Sequence, residues 1–227
     1  SAYPIKISSD KLNPQSVIEK LNTLFDELIV TTDVGQNQLW TTQFLRLNEK
    51  RRLITSGGLG TMGFGLPAAI GAKLGNPRTP VVAVVGDGGF QMNIQELATA
   101  VINNLPVIIC LFNNNWLGNA RQWQELYYER RYQSTCLKRR NTCPKHCNGN
   151  IGNCPVYVPD FAKLADSYCI GYKRIEQVNQ IDEAFEFALN NTSAPTLLEF
   201  MIEEEENVYP IVLPGKDLST VKFGKES

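Results

Sequence analysis

Continuous apolar runs alternate with stretches of helical periodicity along most of the chain. The runs that predict strands lie at 28–32, 81–85, 107–112, 173–175 and 196–202. The periodic stretches that predict helices lie at 57–74, where the start is rich in glycine, and at 94–102, 119–128, 160–168 and 181–189. Asn93 and Glu96 have the spacing of a capping box at the start of the second of these helices. Because strands that are apolar on both faces alternate with helices, we predict an α/β fold, a doubly wound and mostly parallel sheet with helices on both faces.

The pattern is interrupted twice without an obvious domain boundary. The 227 residues fit one domain, 1–227, which contains a Cys-rich insertion at about 133–158 and an extended tail from about 207. A non-periodic segment as long as the insertion is usually functional or disordered in a compact domain. We therefore expect the periodic segments to form the sheet and its helices, and the insertion to lie outside this pattern.

Composition narrows the function classes. The net charge is -1 and 43% of residues are hydrophobic, so we expect no general attraction to nucleic acid or to anionic membranes. No run of 18 apolar residues predicts a membrane span, and the polar opening does not resemble a signal peptide, which predicts a cytoplasmic protein. The chain opens on Ser1 rather than Met, so we expect the natural protein to extend upstream.

The six cysteines fall into two groups. Cys110 and Cys169 are predicted to be small buried apolar residues. The others have the spacing C-x6-C-x3-C-x6-C, and they are Cys136, Cys143, Cys147 and Cys154. Without a secretion signal this cluster favours a metal, either Zn²⁺ or an iron–sulfur cluster, with His146 as a substitute ligand. Disulfides formed in air and free thiols remain as alternatives.

Polar residues follow two successive predicted strands. Gly86-Asp87-Gly88-Gly89 follows one strand, and Asn113-Asn114 follows the next, so that Asp87 and Asn114 are 27 positions apart. Carboxylate and amide oxygens suit Mg²⁺, and glycines let backbone N–H groups approach a diphosphate. Gly-Asp-Gly alone is more often an ordinary turn. The paired asparagines at the neighbouring strand end favour the metal and diphosphate site instead.

With these motifs the chain resembles thiamine-diphosphate enzymes. Within them it resembles the C-terminal, thiamine-diphosphate-binding domain of the acetolactate synthase large subunit from about residue 12 to residue 215. Besides the motifs above, the matching runs are Asp33-Val34-Gly35-Gln36, the run from Ser56 to Ala69, the run from Gln91 to Leu97, and Arg121-Gln122-Trp123-Gln124. The run over 56–69 is the most specific of them.

The resemblance implies a role for each matching site residue. Mg²⁺ would be held by Asp87, Asn114 and the backbone carbonyl of Trp116. The implied cofactor-binding residues are Gly35, Gln36, Asn37, Gly60, Met62, Gly88, Gly89, Asn114 and Gly118. Among these, Gly60 would accept a hydrogen bond from the aminopyrimidine, and Met62 would lie beneath the cofactor and keep it bent. Trp123 would shape the pocket for the second substrate, with ordinary aromatic core as the alternative.

Two positions depart from the family pattern. Asn37 stands where many members have His, although an asparagine can still donate to a phosphate oxygen. Asn119 stands where the family usually has Met, close to the reacting carbon, so the substrate preference is open.

The same resemblance implies an enzyme, a transferase of branched-chain amino acid biosynthesis. It would decarboxylate pyruvate and condense the two-carbon unit with pyruvate or 2-oxobutyrate. Its partners would be further copies, in a homodimer or tetramer, and a small regulatory subunit, and FAD is expected only in the full-length protein. The catalytic glutamate of the family lies in a separate N-terminal domain, and we find no counterpart in this chain. We therefore expect the chain alone to be inactive.

Two other functions compete. A thiamine-diphosphate subunit of a 2-oxoacid:ferredoxin oxidoreductase would explain the clustered cysteines but lacks the run over 56–69. A non-catalytic diphosphate-binding module would tolerate loss of Asp87 or Asn114, yet both are present.

Overall fold

The strands follow the apolar runs of the sequence. A computed structural model describes residues 12–143, 154–155, 157 and 159–224. The strands within these residues are β1 (Leu28–Thr32), β2 (Arg51–Thr55), β3 (Val81–Gly86), β4 (Ile108–Asn113), β5 (Gly171–Ile175), β6 (Thr196–Met201), β7 (Ile211–Val212) and β8 (Val221–Lys222). The helices are α1 (Pro14–Leu24), α2 (Gln36–Phe44), α3 (Gly65–Gly75), α4 (Asp87–Phe90), α5 (Glu96–Ile102), α6 (Gly118–Tyr127), α7 (Phe161–Ser167) and α8 (Ile181–Asn190). A 3₁₀ turn, Val178–Gln180, precedes α8.

The first six strands form one parallel sheet in the order β2-β1-β3-β4-β6-β5. In the predicted tail, β7 and β8 pair as a separate antiparallel hairpin. The α/β sheet prediction is confirmed. The sheet also contains β2, which the apolar pattern did not predict because Arg51 and Arg52 begin this edge strand.

Two apolar clusters cover the two faces of the sheet. Val82 and Val84 of β3 face a cluster that includes residues of α1, α2 and α8. The alternate residues Val81, Ala83 and Val85 face a second cluster that includes residues of α3, α5 and α7. Because successive side chains of a strand point to opposite faces, burial on both faces explains the unbroken apolar run of β3.

Two local predictions are wrong. The N-cap of α5 is Gln95 and not Asn93, whose side chain instead donates to the carbonyl of Gly63 at 2.8 Å. Cys169 is exposed rather than buried, because it follows α7 in a left-handed conformation (φ 55°). Cys110, in the middle of β4, is fully buried as predicted.

Candidate cofactor site

The site lies where the strand order reverses. From β1 the chain passes outward to β2, and it then returns to the other side of β1 as β3. Such a reversal opens a crevice at the carboxyl ends of the strands, where open α/β sheets bind ligands. Segments 34–37, 86–89 and 116–120 line a cavity of about 200 Å³ at this point, together with Trp40, Met62, Phe112 and Asn114.

Asp87 combines deep burial with an incomplete set of hydrogen bonds. Only 1% of the residue is exposed. Its Oδ1 accepts from the N–H of Gly88 at 3.1 Å, whereas its Oδ2 has no hydrogen-bond partner among the described residues. Burial raises the pKa of this carboxyl to about 8, although nearby backbone N–H groups oppose the shift. A cation beside Oδ2 would offset the cost of burying this charge.

The turn after β4 brings the second predicted ligand to the same cavity. The Oδ1 of Asn114 accepts from the backbone N–H of Trp116 at 3.0 Å, and its Nδ2 donates to Oε1 of Gln36 at 3.3 Å. Asn115 has a left-handed backbone (φ 62°), a conformation that asparagine tolerates better than most residues. The turn therefore places an amide oxygen and the backbone of Trp116 beside the end of β3.

A buried carboxylate on β6 supports this turn from behind. Glu199 is 4% exposed and accepts hydrogen bonds from Nδ2 of Asn113 at 2.6 Å and from the hydroxyl of Tyr172. Asn113 in turn accepts from the N–H of Asn115 at 3.1 Å through its side-chain oxygen. The negative charge of Glu199 also contributes to the raised pKa of Asp87. Glu199 therefore acts on the site through both geometry and charge.

Two glycines bring the backbone close to the cavity. A Cβ built on Gly118 would lie 2.0 Å from Oε1 of Gln36, and one on Gly88 would lie 2.5 Å from Cδ2 of Leu117. A side chain at Gly118 would therefore displace Gln36. The closeness fits a site that presents backbone N–H groups to an anion.

Gln36 and Asn37, at the start of α2, are held by hydrogen bonds within the protein. The Nε2 of Gln36 donates to Oε1 of Gln122 at 2.9 Å and to the carbonyl of Glu206 at 3.0 Å. The Nδ2 of Asn37 donates to the carbonyls of Asp33 and Val84, each at 3.0 Å. The side-chain amide of Asn37 thus connects the ends of β1 and β3. The same NH₂ group is the one predicted to donate to a phosphate oxygen, and that role stays a prediction.

The cavity contains most of the predicted site residues. Those that line it are Gly35, Gln36, Asn37, Met62, Asp87, Gly88, Gly89, Asn114, Trp116 and Gly118. Gly60 lies outside, on an exposed stretch of the glycine-rich loop. Trp123 also lies outside, half-buried on α6 with its ring 5.8 Å from that of Tyr127.

Sequence reasoning missed the supporting residues Asp33, Gln122 and Glu199. Asp33 and Gln122 stand inside runs that carry the resemblance, so a signal existed, but no role was assigned to them. For Glu199 the only sequence signal is an acidic residue inside an apolar strand, which by itself does not say what the residue faces.

Three of the four clustered cysteines come together. Cys136, Cys143 and Cys154 line one small pocket beside Lys138 and Arg139. Backbone pairing of Cys136 with Trp116 connects this pocket to the turn after β4. The remaining candidates, Cys147 and His146, lie outside the described residues. Within the part that is described, no three His, Cys, Asp or Glu side chains are arranged to hold a metal ion. The second metal site therefore stays a prediction.

No helix in the described residues is both long enough and apolar enough to cross a bilayer.

Most of the chain is similar in sequence to known proteins of one family. Residues 33–200 match the family described as "Thiamine pyrophosphate enzyme, C-terminal TPP binding domain". The chain is 41% identical to a probable acetolactate synthase large subunit of Methanococcus aeolicus, over 97% of this chain and 35% of that protein. It is 42% identical to the acetolactate synthase isozyme 2 large subunit of Escherichia coli (strain K12), over 83% of this chain and 31% of that protein. The chain thus spans about a third of the length of the curated relatives it matches.

Proposed function

Because this chain belongs to the family of C-terminal thiamine pyrophosphate (TPP) binding domains, we propose that its cavity holds the diphosphate of thiamine diphosphate through Mg²⁺. The buried Oδ2 of Asp87, which has no partner among the described residues, is the observation that carries the proposal. A divalent cation would supply that partner, and Mg²⁺ commonly binds one or two carboxylates together with phosphate oxygens.

The residues around the cavity suit this pair of ligands. Asp87 supplies the negative charge, and Asn114 and the carbonyl of Trp116 supply neutral oxygens. Gly88 and Gly118 line the cavity, and without side chains their backbone could approach phosphate oxygens closely. Met62 lines the same cavity and gives it an apolar wall. When bound, thiamine diphosphate supplies an electron sink for the decarboxylation of a 2-oxoacid.

We further propose that the whole protein is an acetolactate synthase. The similar proteins are acetolactate synthases, and they support this function over the ferredoxin oxidoreductase alternative. The family resemblance of the run over 56–69 supports it as well. Its substrates would be pyruvate and 2-oxobutyrate, its oligomer a homodimer or tetramer, and its partner a small regulatory subunit. FAD in the full-length protein, which the family resemblance implies, and a cytoplasmic location remain parts of the proposal.

This chain would contribute one half of each catalytic site. No glutamate lines the cavity among the described residues. Glu96 is half-buried on α5, where its carboxylate accepts a hydrogen bond from the hydroxyl of Thr99, and it lies outside the cavity. The group that exchanges a proton with the pyrimidine would therefore come from another segment or from another copy.

For the Cys-rich insertion we keep the proposal of a structural Zn²⁺ or iron–sulfur cluster. Cys136, Cys143 and Cys154 line one pocket, although the three side chains are not arranged there to hold a metal ion, so the proposal rests on the clustering of the cysteines. Ligation would supply folding energy to a segment that has few apolar residues. Metal and sulfide analysis of protein purified without oxygen, with thiol counting, tests the proposal. One zinc or iron site per chain would support it, whereas fully titratable thiols without stoichiometric metal would reject it.

The Mg²⁺ assignment is tested by Asp87→Ala in the chain as it stands. We expect the variant to lose Mg²⁺-dependent binding of pyrophosphate, because the only charged ligand is removed. Asp166→Ala, an exposed aspartate on α7, is the control and should bind like the wild type. Unchanged affinity in Asp87→Ala, measured by calorimetry, would reject the assignment.

A further inference from the structure

One buried carboxylate near the cavity has no part in the proposed metal site. Asp33 follows β1 directly and is 1% exposed. Its Oδ1 accepts from the N–H of Val34 at 2.7 Å, and its two oxygens accept from the N–H of Gly63 at 2.9 and 3.0 Å. In the part of the chain that the structure describes, no cationic side chain pairs with Asp33. Burial raises its pKa, and N–H groups of Gly63, Val34 and Gly65 oppose the shift.

The bond to Gly63 anchors the glycine-rich loop, which we define as residues 56–64. Gly63 has a left-handed backbone (φ 90°), and its carbonyl accepts from Nδ2 of Asn93 at 2.8 Å. Both polar backbone groups of Gly63 are thus fixed by side chains from outside the loop. The loop carries Gly60 and Met62, the two residues expected to meet the part of thiamine diphosphate beyond its diphosphate.

The opposite side of the same carboxylate meets the turn after β3. A Cβ built on Gly89 would lie 2.6 Å from Oδ1 of Asp33 and 2.7 Å from its Cγ. Hence Gly89 packs directly on the carboxylate, with no room for a side chain between them. The glycine-rich loop and the Gly88-Gly89 turn are therefore both held against the same group.

This contact affects the shape of the cavity. Cε of Met62 lies 3.7 Å from the position of a Cβ on Gly88, so the end of the loop approaches the turn closely. We propose that Asp33 is a positioning residue that fixes the glycine-rich loop, and with it Met62, relative to the Gly88-Gly89 turn. This role rests on the proposed function, because the position of Met62 decides where the apolar wall for the bent cofactor lies relative to the diphosphate site.

A carboxylate suits this role better than its neutral amide. An ionised carboxylate accepts only, so both its oxygens can face backbone N–H donors. In Asp33→Asn one oxygen becomes an NH₂ donor, which would face the N–H groups that now donate to the carboxylate. The shape of the side chain is kept, so this variant tests hydrogen bonding and charge rather than packing.

The first test does not depend on the cofactor. Hydrogen exchange is measured for the cofactor-free chain in the wild type, in Asp33→Asn and in the control Asp160→Asn. Asp160 is a matched control because its carboxylate also accepts two backbone N–H bonds, at the start of α7 and outside the cavity. We expect amides of the glycine-rich loop to exchange about tenfold faster only in Asp33→Asn, with β3 and β4 unchanged. Unchanged loop exchange, or faster exchange throughout the chain, would overturn the proposal.

The second test compares two ligands on the same variants. Calorimetry at saturating Mg²⁺ measures the affinity for thiamine diphosphate and for inorganic pyrophosphate. We expect Asp33→Asn to weaken thiamine diphosphate by about tenfold and pyrophosphate by less than about threefold, since the loop meets only the rest of the cofactor. Equal weakening of both ligands would assign Asp33 to the diphosphate turn and overturn the proposal. If the wild type bound neither ligand, the proposed function would fail, while hydrogen exchange would still decide whether Asp33 holds the loop.

Discussion

At the scale of single residues, three buried carboxylates stand around the cavity and differ in how they are satisfied. Asp33 accepts from backbone N–H groups, and Glu199 accepts from Asn113 and Tyr172. Asp87 keeps one oxygen without a partner in the described structure. Burying a charge is costly unless it is paired or hydrogen-bonded. This difference is why we assign the cation to Asp87 and supporting roles to the other two.

The charge of Glu199 should strengthen cation binding. In Glu199→Gln the shape and an acceptor oxygen remain, but a buried negative charge near Asp87 is lost. We expect the Mg²⁺ affinity, measured by calorimetry with pyrophosphate at a fixed concentration, to fall by roughly tenfold. Tyr172→Phe removes one hydrogen bond and keeps the charge, so it should weaken binding much less. Equal effects of the two substitutions would show that geometry and not charge explains the role of Glu199.

Trp123 gives a prediction about the choice of substrate. It lies outside the cavity but on α6, whose first residues line it. If Trp123 forms a wall for the second substrate, Trp123→Leu in the whole protein should lower the preference for 2-oxobutyrate over pyruvate. One methylene in an apolar pocket is worth about 1–3 kcal/mol, so the product ratio is a sensitive measure. An unaltered product ratio would show that Trp123 only packs against Tyr127 and does not form a wall of the substrate pocket.

Single residues of the site were predictable only where a spacing rule applies. Asp87 and Asn114 follow adjacent strands, and strand ends of a parallel sheet meet at one edge. The partners of Asn37 could not be predicted, because its amide bonds to two backbone carbonyls that come together only in the folded sheet. The exposed position of Cys169 depends in the same way on how α7 ends, which composition does not reveal.

At the scale of elements, α6 connects the cavity to the C-terminal segment. The side chain of Gln122 makes two hydrogen bonds with the backbone of Val208, at 3.0 and 3.1 Å. Arg121 is fully buried, and it pairs with Glu125 at 2.9 Å and donates to the side chain of Asn207. Because Gly118 and Asn119 begin the same helix and line the cavity, a displaced tail would also affect the site.

The buried pair on α6 should therefore matter for stability. We expect Arg121→Ala to lower the free energy of unfolding by about 3 kcal/mol, because Glu125 stays buried without its closest cation. Urea unfolding followed by circular dichroism measures the loss. Arg46→Ala is the control, since its pair with Glu19 lies elsewhere and its own side chain is exposed, and it should cost about 1 kcal/mol or less. Similar losses of unfolding free energy in the two variants would show that the buried ion pair of Arg121 stabilises the protein no more than an exposed one.

The elements themselves were predictable where burial sets the pattern. The apolar runs of β1, β3 and β4 predicted buried parallel strands, and they form the centre of the sheet. The edge strand β2 was missed because its burial alternates and its first two residues are arginines. The capping box failed because a long-range contact to Gly63 takes the side chain of Asn93, and local spacing cannot account for such a contact.

At the scale of the whole molecule, the proposed function gives this chain one half of a catalytic site. The cavity would hold the metal and the diphosphate, and no glutamate of the described residues lines it. We expect the isolated chain to make no acetolactate from pyruvate with saturating thiamine diphosphate and Mg²⁺. A colorimetric acetoin assay on rigorously purified chain checks this expectation. Turnover that persists through purification would show that the chain supplies the missing proton-transfer group itself.

We propose that the crevice at the ends of β1, β3 and β4 binds thiamine diphosphate through Mg²⁺. The most direct measurement is calorimetric titration of the wild-type chain with thiamine diphosphate, with and without Mg²⁺, beside a titration with ADP. We predict one site per chain that requires Mg²⁺, is competed by pyrophosphate and prefers thiamine diphosphate to ADP. Equal binding of ADP, or binding of thiamine diphosphate that does not depend on Mg²⁺, would contradict the claim.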